Sequence, residues 1–161
     1  MKKRTYFDVF DGPGWPAPAL LERYFIGPPD QRWTFSSGND SWNLRAEGVD
    51  GTENLGAHKG RIDVLLEMYG HPQFGVLIVY SKFGGGRSQT YLSKGNLDRL
   101  SELTRDLHGD QLPVGLFIPY EAAWVAVKEF LDIDAQLPKS IEWVASRDLP
   151  PGTFPDPGAP G

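Results

Sequence analysis

Residues 61–93 read RIDVLLEMYGHPQFGVLIVYSKFGGGRSQTYLS, and this stretch decides the fold. From 61 to 69, Ile62, Val64, Leu66 and Met68 alternate with Arg61, Asp63, Glu67 and Tyr69, and only Leu65 falls on the polar side. A period of two puts the apolar set on one face of a strand. His71-Pro72-Gln73 makes a turn. Residues 74–83 are nearly continuous in apolar and β-branched side chains, as suits a central strand covered on both faces. Gly84-Gly85-Gly86 is a second turn, and 88–93 a third strand. Three neighbouring strands with short connections form an antiparallel meander.

Working outward, residues 97–107 read as a helix. Asn96 is its N-cap, Gly109 follows its end, and Leu97, Leu100, Leu103 and Leu107 share one face. Residues 120–131 read as a second helix entered through Pro119, with Ala123, Trp124, Val127, Phe130 and Leu131 as its apolar stripe. Short strands are expected at 114–118 and 141–145. On the N-terminal side, 17–25 fits one short helix ended by Gly27-Pro28-Pro29. Strands at 32–36 and 42–49 flank a loop, Ser37-Gly38-Asn39-Asp40. Residues 50–60 read as a loop. The expectation is an α+β fold, with an antiparallel sheet of about six strands and two or three helices packed on it. It forms one domain over 1–149. A Pro/Gly-rich tail follows at 150–161, where Phe154 is the available anchor.

The chain has 161 residues, no cysteine, 16 basic and 21 acidic side chains and a net charge of −5. It is long enough for a core without disulfide or metal staples. Lack of cysteine excludes a thiol nucleophile, a Cys-based zinc site and an iron–sulfur cluster. The acidic balance argues against general nucleic-acid binding and for a basic partner. Met1-Lys2-Lys3-Arg4 resembles the start of a signal peptide, but Thr5-Tyr6-Phe7-Asp8 follows instead of an apolar run. Residues 76–80, the most apolar stretch, fall far short of the ~20 residues of a membrane span. A cytoplasmic protein with no membrane partner is expected.

Motifs for chemistry are sparse. His58, His71 and His108 stand apart and at no metal-ligand spacing. Gly84-Gly85-Gly86-Arg87 lacks the Lys-Ser/Thr and following helix of a phosphate loop, and fits a hairpin turn better. Ser93-Lys94-Gly95 lacks the spacing of an acylating serine. Glu53 and Glu67 form a nominal carboxylate pair with no local pattern behind it. No catalytic, metal-binding or cofactor-binding residue is expected. Asp98, Glu102 and Asp106 recur every four residues opposite the leucine face, with Arg99 and Arg105 beside them. A solvated helix face and a contact strip for a basic partner both fit this ridge. Tyr69 and Tyr91, on the more polar faces of their strands, fit either sheet cover or interface anchors.

Several runs carry a family resemblance: Tyr80-Ser81-Lys82-Phe83-Gly84-Gly85-Gly86, Tyr91-Leu92-Ser93-Lys94-Gly95, and Leu112-Pro113-Val114-Gly115-Leu116-Phe117-Ile118-Pro119. Ala122-Ala123-Trp124, Glu129-Phe130-Leu131, Leu137-Pro138 and Ile141-Glu142-Trp143 continue it. Over residues 60–149 this pattern resembles the Imm1 family of bacterial immunity proteins, whereas the first 60 residues match loosely. The resemblance implies an antidote encoded beside a polymorphic toxin. It would bind a nuclease or nucleic-acid deaminase domain and block its active site without performing chemistry. Gly115, Pro119 and Trp143 then read as fold determinants. Partner contacts, chosen by loop position, charge or exposure, are expected at Asp40, Trp42, Glu53, Tyr91, Lys94, Asp98 and Glu102. A small non-catalytic binding or scaffold module, or an enzyme without a recognised motif, are the alternatives.

Overall fold

A computed structural model describes residues 1–27, 33 and 41–155. The meander is β4 (Asp63–His71), β5 (Gly75–Gly84) and β6 (Arg87–Ser93). Its two-residue hairpin, Gly85-Gly86, has positive φ at both positions, 60° and 78°, so a hairpin turn and not a phosphate cradle joins β5 to β6. The sheet extends through β3 (Ser41–Glu47) to β1 (Lys2–Tyr6) and β2 (Gly12–Pro13), and on the other side to β10 (Trp143–Ala145). With β9 (Phe117–Ile118) it has eight strands among the described residues, every pair antiparallel. The α+β class holds, with more strands than the six expected. The expected strand at 32–36 and its loop lie outside the described residues, apart from Trp33.

One sheet face is sealed by helices. α1 (Pro18–Leu21) and α2 (Arg23–Ile26) are single turns joined at Glu22, and α3 (Tyr120–Asp132) is the long helix. Leu44, Val64, Leu66, Met68, Ile78 and Tyr80 point at them from the strands, against Phe25, Trp124, Val127 and Phe130. Aromatic rings fill the gap: Phe25 stacks on Trp124 at 5.4 Å and meets Trp33 and Trp42 at 5.9 Å each. The Trp33 indole donates to the Tyr24 carbonyl at 2.9 Å, so the buried N–H is satisfied.

The opposite face carries a smaller apolar cluster of Leu77, Leu92, Leu112, Leu116 and Phe117. Residues 97–117 cover it, and here the helix expectation fails. A single 3₁₀ turn, Leu97–Arg99, is followed by β7 (Leu103–Arg105), which pairs with β8 (Gln111–Pro113). Asn96 does cap, its side chain accepting from the Asp98 N–H at 3.1 Å, but it caps only that turn. The backbone of 96–100 runs directly against Gly115, where a Cβ would collide with the Asn96 carbonyl and crowd Arg99 and Leu100. Leu97 and Leu100 pack on the cluster, whereas Leu103 and Leu107 are exposed. The edge of β8 offers hydrogen bonds to 103–105, and a helix continued past 100 would forgo them. The expected strand at 114–118 is likewise a 3₁₀ turn, Val114–Leu116, leading into two-residue β9.

β5 has β4 along one edge. Its other edge is shared: β9 takes Val76 and Leu77, and β6 takes Val79 onward. Ile78 falls at the handover, and the fully buried Ser93 hydroxyl serves it. Ser93 Oγ accepts the Ile78 N–H at 2.9 Å and donates to the Leu116 carbonyl at 2.7 Å. Ser93→Ala leaves two buried backbone groups unpaired, each costing about 1–3 kcal/mol. Urea unfolding of this variant is expected to show a loss of about 2–4 kcal/mol, whereas Ser88→Ala on the exposed part of β6 leaves the midpoint unchanged.

Candidate functional site

The described residues cover the second sheet face only in part, and between them lies a groove of about 500 Å³, within the size range of binding clefts. Strand register builds its floor. Glu67 on β4 lies beside Val79 on β5, which lies beside Leu92 on β6, and in the next row Tyr69 lies beside Leu77. Asp110 and the first residues of β8, Gln111 and Leu112, close one wall; Ser146, Phe154 and Pro155 close another. The tail's anchor, Phe154, is still 44% exposed.

One end of the groove is polar. Tyr69 donates to Glu67 Oε2 at 3.2 Å. Burial pushes the Tyr69 phenol up, and the Glu67, Asp106 and Asp110 charges push it further, so it stays neutral far above physiological pH. Asp106 ties the turn between β7 and β8: its Oδ1 accepts the His108 and Asp110 N–H groups at 2.9 and 2.8 Å. Among the described residues its Oδ2 is buried without a hydrogen-bond partner, as are Asn43 Oδ1 and Gln111 Nε2. Asn43 is the cross-strand neighbour of Glu67. Among the described residues no group of three or more His, Asp or Glu side chains is placed to hold a metal ion. The chemistry this end offers is hydrogen-bond acceptance at negative charge.

The expected contact residues lie elsewhere. Asp40 is outside the described residues. Trp42 is corrected: it is 2% exposed, its ring 4.9 Å from Phe7, because the alternation of β3 turns Trp42, Leu44 and Ala46 inward. Glu53 is exposed, and its carboxylate meets the Met1 amino group. It therefore forms no pair with Glu67. Tyr91 lies opposite Tyr80 in register and packs on the helix side, away from Tyr69. Lys94 is exposed and 3.9 Å from Glu142. Asp98 and Glu102 are exposed, but with no helix there the four-residue ridge does not exist; Glu102 instead takes both hydrogen bonds of Arg99 at 2.8 and 2.9 Å. None of the six described residues lines the groove. Sequence reasoning had noted Glu67 and Tyr69 but passed over Asn43, Asp110 and Gln111, which become neighbours only through strand pairing.

No family model matches this chain, and neither a curated protein nor a solved structure matches it.

Under the sheet, the Tyr80 hydroxyl donates to the Ala135 carbonyl at 2.8 Å. Burial first, then the Asp50 and Tyr91 groups, push its pKa up to about 12 from 10.0. The folded-state pKa is raised, so its stabilisation is complete below pH 10.0 and is lost as pH climbs toward about 12. Stability curves across that window are expected to fall, and Tyr80→Phe is expected to flatten the fall while lowering stability at neutral pH. Phenolate absorbance of Tyr69→Phe is expected to lose part of the late titration seen in the parent.

Proposed function

We propose that this chain is an immunity protein that binds a cognate polymorphic toxin and neutralises it by covering its active site. The toxin is a nuclease or a nucleic-acid deaminase, and the complex forms in the cytoplasm of the producing cell. Three lines support this reading. The pattern over 60–149 resembles that family. The chain is acidic, and a cleft built to hold nucleic acid is basic, so opposite fields steer the encounter. The observation that carries most weight is the groove: an apolar floor with an acceptor-rich, negatively charged end, open to solvent on a rigid sheet. Such a surface suits a partner that brings apolar contacts and positive charge together. No helix among the described residues is long and apolar enough to cross a membrane.

The test is genetic and then biochemical. A toxin reading frame is expected beside the gene, and co-expression is expected to rescue cells from that toxin and yield a complex that co-purifies. Failure of rescue by the intact, folded chain overturns the reading. Asp98→Lys with Glu102→Lys removes two negative charges, adds two positive ones and frees Arg99. Association is expected to slow by about tenfold at low salt, with a weaker salt dependence than the parent. Stopped-flow mixing at several ionic strengths measures both.

A further inference from the structure

Five buried side-chain atoms lack hydrogen-bond partners among the described residues. One, Gln111 Nε2, belongs to a residue that lines the groove; Asn43 Oδ1 lies one strand over from Glu67, and Asp106 Oδ2 lies on the hairpin whose charge reaches Tyr69. Gln111 is 95% buried, at 5% exposure, and lines the groove. Buried polar groups are ordinarily paired, and a local concentration of unpaired ones points to a missing partner. The inventory also has a sign. Glu67, Asp106 and Asp110 offer carboxylates and Asn43 offers a carbonyl oxygen. The Tyr69 hydroxyl is already donated to Glu67. None of the three carboxylates has a Lys or Arg within salt-bridge distance among the described residues. Arg105, on the nearby hairpin, uses its guanidinium on the Gly109 carbonyl at 2.7 Å. The site has acceptors and negative charge in excess, and it lacks a cationic multiple donor.

The apolar half carries a second message. Among the described residues its floor is Leu77, Val79 and Leu92, and the chain's own Phe154 and Pro155 stand beside it as a wall, so an apolar side chain entering the groove meets apolar surface on two sides.

We propose that the groove docks a segment of a partner protein that carries an arginine beside an apolar side chain. The guanidinium, with five donors in a planar fork, lies between Glu67 and Asp110, which line the groove, with the Asp106 charge behind them. The apolar neighbour rests on Leu77, Val79 and Leu92 beside the Phe154 wall, and the Gln111 amide donates to a backbone carbonyl of the segment. This assignment rests on the reading of the chain as a partner-binding protein and names the chemistry of the partner at that surface.

The probe is N-acetyl-Leu-Arg-Leu-Arg-Leu-amide, titrated into the isotope-labelled full chain and followed by amide chemical shifts. Saturable shifts are expected at Val79, Leu92, Asp110 and Gln111. The same peptide with citrulline for arginine, isosteric but uncharged, is expected to bind about tenfold or more weakly, as is the parent peptide to Glu67→Gln/Asp110→Asn. Thermal melting of that variant is expected to match or exceed the parent, because like charges are removed without emptying space. Absence of saturable shifts, shifts confined to other surfaces, equal binding of the citrulline peptide, or spermidine binding as tightly as the peptide would each overturn the assignment. The two readings separate cleanly. Toxin rescue that is indifferent to the double variant sinks the groove assignment and leaves immunity standing; peptide docking without rescue does the reverse.

Discussion

The Ser93 hydroxyl sits where β5 passes from one neighbour to the next, and both faces of the sheet depend on that junction. A strand edge can be served by two partners only if the residue between them finds a substitute for the missing ladder bond. Ser93 supplies it to Ile78, and by donating to Leu116 it also fixes where the covering segment returns to the sheet. Gly95 and Gly115 let the two backbones cross at close range just beyond it; a side chain on either would strike the other's neighbourhood. Once that crossing is set, β9 lies against the start of β5, α3 leaves from Pro119 onto the helix face, and β8 is delivered to the opposite face. The Lys94 N–H, bonded to the Glu142 carbonyl at 3.1 Å, ties β10 into the same junction.

The two sheet faces have different standing. The helix side is closed by interlocking aromatic rings that leave little reason for further contact. Among the described residues the other side is covered by 97–117, a segment too short and too polar at its outer end to complete the cover. The groove is what remains, and its charged end is formed where a strand of the main sheet meets a hairpin that arrives from elsewhere in the sequence. Polar groups stranded at such a meeting place are retained at a cost in stability, of the kind associated with sites that serve a partner.

Legibility in the sequence followed the range of the determining contacts. β4, β5 and β6 were readable because alternation and turn glycines are local. α3 was readable because its stripe has one period and its entry proline is adjacent. β1 was missed because its inward residues are Lys3 and Thr5, the first holding its ammonium over the Trp15 ring and the second a buried hydroxyl, so no apolar alternation marks it. Residues 97–107 were misread because leucines at three- and four-residue spacing satisfy a helix locally, while the contacts taken up instead, the close approach to Gly115 and the pairing with β8, lie well downstream. Tyr69 and Glu67 could be placed on a polar strand face from sequence. Asn43, Asp106 and Gln111 could not be added to them, since only cross-strand register and the β7–β8 pairing bring them near.

Phe154 and Pro155 have one more consequence. They form one wall of the groove, whereas its floor belongs to the sheet. The groove therefore joins parts of unequal stability: a floor held by ladder hydrogen bonds, and a wall carried by a turn in which the Thr153 N–H and hydroxyl both donate to the Pro150 carbonyl. Opening that wall costs far less than opening the sheet, so the width of the groove adapts to what enters it while the floor stays as it is.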